Sequence, residues 1–231
     1  MVNEQTTGKI TSINEEGVAV ITATIDPFTA AARQFQDVTV IFHDGRRISP
    51  EQRRKTYALI GEIAEFTDGI RDAATIEETK RLMKFEYLLT RMEACERRMF
   101  SLADCDMTVA REFISFLIDF IIENEIPTRM PLVELADDVR QYVYACLINK
   151  NCAVCGKAAQ LHHVDPVGMG NDREEVCHIG MLSLPLCAEH HAEAHAAGVD
   201  TFNERYHLEP VEIDEKIAKV YRLKYRLKAR E

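Results

Sequence analysis

Residues 187–198, CAEHHAEAHAAG, decide how this chain reads. Cys187-Ala-Glu-His190 is a C-x-x-H knuckle, a spacing that lets two soft side chains reach one ion. It runs straight into His191 and His195, four residues apart in a stretch that reads as a short helix stopped by Gly198. On a helix that spacing puts both imidazoles on one face, where they can share an ion. Upstream, Cys152-Ala-Val-Cys155 is a second knuckle. Together the two supply Cys152, Cys155, Cys187 and His190, the four-ligand tetrahedral set of a structural Zn2+. Of eight histidines, seven fall between His162 and His207. The seven cysteines are an odd number, and the start, MVNEQTTGK, lacks the apolar core of a signal peptide, so a disulfide framework is not expected.

His162 and His163 are adjacent in LHHVDP, residues 161–166. Consecutive residues on a strand point to opposite sides, so one of the pair can bind metal while the other faces a substrate. A metal that stabilises an anion, beside an imidazole that takes a proton from water, is equipment for hydrolysis. Between this pair and the second knuckle lies GMGNDR, residues 168–173, where two glycines permit close approach to a phosphate and Arg173 can pair with it.

This arrangement resembles the HNH nuclease family over roughly residues 150–207. The resemblance rests on the first knuckle, the His162-His163 strand, the glycine-rich loop, a second strand at Met181–Leu186, and the Cys187-x-x-His190-His191 helix. It implies a ββα fold around one metal. It implies that His163 is the general base, that His162 and His191 are metal ligands, and that His195 is a further ligand, as in the His-rich branch of the family. The divalent ion is left open among Mg2+, Mn2+, Ni2+ and Zn2+. The middle Asn of the family's motif falls near Leu182-Ser183, and no Asn stands there. His178 is taken as the residue that orients the base, with Ser183 as the alternative.

The preceding 150 residues read as strands, then helices. Val18, Val20 and Thr22 alternate with Ala19, Ile21 and Ala23 after the turn signal Glu16-Gly17, and VTVIFH at 38–43 meets Asp44-Gly45. Ser49-Pro50-Glu51-Gln52 predicts a capped helix to about Phe66, with Tyr57, Ile60, Ile63 and Ala64 on its inner face. Further helices are expected over 75–100, from a Thr108 cap with Val109, Phe113, Phe116, Leu117, Phe120 and Ile121 inward, from Pro131 to about Asn149, and as a basic helix over 216–230. The stretch from Val38 to Glu65, with the strands before it and the helix after Thr108, resembles the phage Orf family of recombination mediators, through Ser49, Gln52, Arg54, Lys55 and Tyr57 in register. That resemblance implies a homodimer that binds single-stranded DNA and the host single-strand-binding protein. Independently, Arg46, Arg47, Arg53, Arg54 and Lys55 put five basic residues in ten positions, and Tyr57 nearby can stack on a base.

The whole chain has 231 residues, 46% hydrophobic and 29% charged, with a net charge of −10. Residues 1–150 hold 18 basic and 25 acidic residues, and 151–231 hold 10 and 13, so nucleic-acid contact must come from a local basic patch. No apolar run reaches the roughly 18 residues of a membrane span. The expected architecture is α+β: a strand-then-helix DNA-binding domain over 1–150, then a small zinc-stapled ββα-metal domain over 151–231. The expected protein is a cytoplasmic metal-dependent DNA endonuclease, in the bacterial host cytoplasm if phage-encoded. Its expected substrate is single-stranded or branched DNA. A non-catalytic zinc-stapled DNA-binding adaptor is the alternative. A stand-alone restriction-type nuclease would need a sequence-reading motif, and none is evident.

Overall fold

A computed structural model describes residues 6, 8–34, 40, 45–91, 99–164 and 177–224. The expected VTVIFH strand with its Asp44-Gly45 turn, the loop holding Arg173, and the last residues of the basic C-terminal stretch lie largely or wholly outside them. The chain divides into two units, Met1–His43 with Glu93–Cys95, and Asp44–Met92 with Glu96–Glu231.

The smaller unit holds strands β1 (Gly8–Ile13) and β2 (Ala19–Ala23), an antiparallel hairpin. Asn14 closes its turn, its side-chain oxygen accepting from the Glu16 and Val18 backbone N–H groups, while Gly17 takes the left-handed φ of 83° that the turn requires. A bulge between Ile10 and Ser12 keeps Ile13 on the same side as Ile10, together with Ala19, Ile21 and Ala23. A helix that periodicity did not predict, α1 (Pro27–Arg33), follows, capped by Asp26 on the Thr29 N–H. Neither strand nor helix buries a residue.

The larger unit is built on three long helices, α2 (Pro50–Asp68), α3 (Ala73–Thr90) and α4 (Met107–Glu123). Helix α2 starts as the sequence demands. The Ser49 hydroxyl accepts from Gln52 N–H and the Gln52 side chain accepts from Ser49 N–H, both at 3.0 Å, and Gly69 in the left-handed region ends it. Its inner face differs from the expected one: Thr56, Leu59, Ile60, Ile63 and Ala64 are buried, but Tyr57 is 37% exposed. Helix α4 is the centre, packed against α2, α3 and a later helix over Val139–Asn149. Its N-cap is Asp106 rather than Thr108, and its buried stripe is Ala110, Phe113, Ile114, Leu117, Ile118, Ile121 and Ile122. Phe113 joins Tyr87, Phe100 and Phe116 in an aromatic cluster.

The helix expected from Pro131 is broken into α5 (Leu132–Leu135) and α6 (Val139–Asn149). Ala136 turns extended, and Asp138 recaps the chain by accepting from Gln141 N–H at 3.0 Å. Lys150, in the left-handed conformation, closes α6. Beyond it come β3 (Gln160–His163), β4 (Leu182–Leu186), α7 (Ala188–Ala197), α8 (Val199–Tyr206), β5 (Val211–Glu212) and α9 (Glu215–Tyr221). The sheet order is β3-β4-β5, antiparallel throughout. The C-terminal helix is shorter than predicted, because Arg222 adopts a left-handed φ of 57° that ends it. The composition change near residue 150 falls within this unit, and one buried cluster runs from Ile48 on one side of it to Ala218 on the other. Among the described residues no helix is long and apolar enough to cross a membrane.

Candidate active site

Antiparallel strands β3 and β4, followed at once by α7, hold the histidines. The register sets His162 opposite Leu184 and His163 opposite Ser183. Neighbouring residues of β3 therefore leave the strand on opposite sides, and the two imidazoles have different surroundings. His162 is 2% exposed, while His163 is half-buried.

On one side, His162, His191 and His195 converge. Their rings lie 4.7–4.9 Å apart centroid to centroid, and their ligand nitrogens all fall within 4.8 Å of one another. His162 Nε2 is buried without a hydrogen-bond partner. An unpaired buried nitrogen is costly, and an ion shared with His191 and His195 would satisfy it. Burial, then the proximity of His191, His195 and His163, lowers the His162 pKa to about 4; burial and His195 lower that of His191 as well. At neutral pH both imidazoles are in the uncharged form that ligates.

On the other side, His163 Nε2 lies 2.9 Å from His178 Nδ1. His178 is buried, and its backbone N–H donates to the Lys224 carbonyl at 3.1 Å. Of the two residues weighed for the place of the missing Asn, His178 is the one that meets His163. Ser183 donates its hydroxyl to the Val211 carbonyl at 3.1 Å and serves the β4–β5 edge.

The two knuckles also meet. Cys152, Cys155, Cys187 and His190 bring their ligand atoms within 4.8 Å of one another. Cys155 Sγ–Cys187 Sγ is 3.8 Å, Cys152 Sγ–His190 Nδ1 is 3.5 Å and Cys187 Sγ–His190 Nδ1 is 3.2 Å. Tetrahedral edges built from Zn–S and Zn–N bonds are about 3.8 and 3.5 Å, so the donors stand where one ion could take all four. Burial pushes the Cys155 thiol up to about 11. At Cys187 burial acts the same way, but hydrogen bonds from the His190 backbone N–H, the His190 ring and the other two thiols outweigh it and bring the thiol to about 7. The first knuckle is tied down by its backbone: Ala153 N–H donates to Pro185 of β4, and the buried Tyr142 hydroxyl donates to the Ala153 carbonyl at 2.7 Å. Tyr142 carried no signal in the sequence. Helix α7 turns about 100° per residue, so His190 and His191 leave it toward different clusters.

The basic segment is divided in its contacts. Arg46 and Arg47 are exposed and sit on a short backbone pairing with residues 105–107. Arg53 donates to the Leu102 and Ala103 carbonyls, and Lys55 donates to the Ala136 carbonyl and pairs with Glu51. Arg54 is exposed, and Tyr57 carries the Lys80 ammonium 5.5 Å over its ring.

Comparison with curated proteins and with solved structures finds no match. Residues 17–224 match the family described as "Putative HNHc nuclease", a span that includes the helical half as well as the Cys/His region. With nearly all of its length inside that match, the chain belongs to this HNH family of nucleases, enzymes that act on nucleic acid.

Proposed function

We propose that the protein is a metal-dependent DNA endonuclease in which β3, β4 and α7 form the ββα-metal unit of a catalytic module over residues 151–231. The carrying observation is the division at β3: His162 joins His191 and His195, while His163 pairs with His178. His163 is the general base. Its Nε2 pairs with His178 Nδ1, a contact that orients the imidazole that takes a proton from the attacking water. The water oxygen forms a bond to phosphorus as the bond to the 3′-oxygen breaks, and the leaving 3′-oxygen takes a proton from solvent, giving 5′-phosphate and 3′-hydroxyl ends. The resulting imidazolium strengthens the hydrogen bond to His178. A divalent ion held by His162, His191 and His195 would supply stabilisation of the phosphorane charge and of the leaving oxygen. The described donors of that site are all imidazoles, a set that favours Mn2+, Ni2+ or Zn2+ over Mg2+. Cys152, Cys155, Cys187 and His190 would hold Zn2+, which would pin the first knuckle to the start of α7.

Arg46, Arg47, Arg53, Arg54, Lys55, Tyr57 and Arg173 are proposed to contact DNA, within an N-terminal region over 1–150 that works as in the Orf family. The biological setting proposed is phage-type recombination or replication in the cytoplasm, as a homodimer that engages single-stranded or branched DNA and the host single-strand-binding protein. A plasmid and oligonucleotide cleavage assay with Mg2+, Mn2+, Ni2+ and Zn2+, beside a His163→Ala control, is the test. Cleavage by the parent and not by the control is expected. No cleavage with any ion would return the adaptor reading.

A further inference from the structure

The end of the chain carries a charge pattern that no step of the proposed reaction uses. Residues 151–215 hold 3 basic residues and 12 acidic ones, whereas residues 216–230 hold seven basic residues and no acid. The two described cations of the first stretch are already committed. Lys157 pairs with Glu189 and Arg205 with Glu193, both carboxylates of α7, the helix that carries His191 and His195. A polyanion approaching this module therefore meets a repulsive surface except where the last residues lie.

The fold brings that end to the proposed base. Helix α9 stops in a Schellman turn: Arg222 N–H donates to the Lys219 carbonyl at 3.2 Å and Leu223 N–H to the Ala218 carbonyl at 2.8 Å, with Arg222 in the left-handed region. The turn packs Leu223 against the core and leaves Arg222 exposed. The Lys224 carbonyl then accepts from His178 N–H at 3.1 Å, and His178 Nδ1 lies 2.9 Å from His163 Nε2. The Lys224 backbone thus touches the residue that pairs with the base. From Arg222 onward the sequence places a cation at every second position, Arg222, Lys224, Arg226, Lys228 and Arg230, with Leu, Tyr, Leu and Ala between them. That is the period of a strand; in an extended chain it sets all five cations on one face, about 6.6 Å apart, close to the step between neighbouring phosphates of one nucleic-acid strand.

We infer that Arg222, Lys224 and the alternating cations after them form a phosphate-binding strip that takes the sugar-phosphate backbone of the substrate beside the bond to be cut. Its place next to the scissile bond rests on the nuclease reading above. Its ligand class comes from the charge: a run of cations in a module otherwise acidic neutralises phosphates and reads no base. The phosphodiester chemistry is common to DNA and RNA, so both are probes.

The test is fluorescence anisotropy of the full chain with labelled oligo(dT), its RNA counterpart and a hairpin duplex, without added divalent ion and over a range of salt. Lys224→Gln removes the charge but keeps the carbonyl that holds His178, and Arg222→Asn suits the left-handed position. Together they should weaken oligo(dT) binding and lower its salt slope by about 1.4; changing Arg226, Lys228 and Arg230 to Gln as well should lower it by about 2 more. Arg81→Gln, an equal loss of charge on the exposed face of α3, is the control and should bind like the parent. Melting temperature and zinc content should not change in any variant. In cleavage, KM should rise while kcat at saturating substrate stays near the parent's. Affinity and salt slope equal to the parent's on every probe would overturn the inference. So would an equal loss in Arg81→Gln, or a fall in kcat with affinity and KM unchanged, which would make the segment a support for His178 alone. Vesicles containing phosphatidylserine are a further arm: loss of vesicle binding with nucleic-acid affinity intact would make the strip a membrane contact. If the parent binds through the strip but cleaves nothing with any ion, the nuclease reading fails and the phosphate site stands. If the parent cleaves while the variants bind and cut like it, the strip falls and the nuclease reading stands.

Discussion

At the scale of single residues, the decisive contrast is between two neighbours on one strand. His163→Ala should lower cleavage by about 10²–10⁴-fold with fold and metal content retained, and added divalent ion should not restore it. His162→Ala and His191→Ala should instead weaken ion binding, so activity should partly return at high metal concentration. Cleavage titrated against metal for the three variants separates the roles, and equal rescue of all three would refute them. A second prediction concerns Asp119 on α4. Burial, and then Glu123, raises its carboxyl to about 6, while one oxygen is buried without a partner. Because the folded pKa lies above the unfolded one, the protonated form stabilises the fold below about pH 4, and this contribution is lost as pH rises through 6. Asp119→Asn should therefore be more stable than the parent by about 1–2 kcal/mol at pH 8, after allowance for partial solvent access, with the gap closing toward pH 4. Parallel urea melts across that range would show it; a pH-independent gap would contradict it. The grouping of the histidines was legible because i, i+4 spacing and strand alternation are local rules. Tyr57 was misread because its position in a 3.6-residue period sits at the edge of the buried stripe, where only the packing of α3 decides which side is covered.

At the scale of elements, α2 could be read from its capping box, since both hydrogen bonds are made within four residues. The break between α5 and α6 could not. Asp137 and Asp138 are both possible caps, and which one serves is settled by distant contacts: Gln52 donates to Asp137 at 2.7 Å across 85 residues, and Asp138 caps α6. The element with most at stake is α7, which carries residues of both clusters. Cys152→Ser and Cys187→Ser should each cause loss of the tightly held zinc and disorder in β3, β4 and α7. Zinc sites of this kind contribute about 10 kcal/mol or more in small modules. Elemental analysis with hydrogen exchange of residues beyond 150 is the measurement, and full protection without zinc would show the clasp to be dispensable.

At the scale of the whole molecule, the two units are unequal. The described core begins at Ile48 and draws nothing from the hairpin or from α1. A chain starting at residue 44 should accordingly keep its melting temperature within a few degrees and bind zinc with unchanged stoichiometry, as calorimetry and metal analysis would record. A large fall in melting temperature would mean that the first 43 residues support the core. The α+β class could be read from composition and period. The joining of α4, α6 and the Cys/His region around one core could not, because Leu147, Leu184 and Ile217 enter one buried cluster only after distant stretches fold together.

Helix α7 also constrains how this gene can vary. His190 and His191 adjoin in the chain but serve different clusters, so the two sites share one angular reference. Inserting one codon between them would swing His191 and His195 by about 100° while the cysteine clasp stayed in place. Even seven codons, which nearly restore the angle, would carry both imidazoles about 10 Å along the axis. Functional variants should therefore differ by substitution between Cys187 and His195, and a frame-preserving insertion or deletion there should destroy activity as thoroughly as losing a ligand.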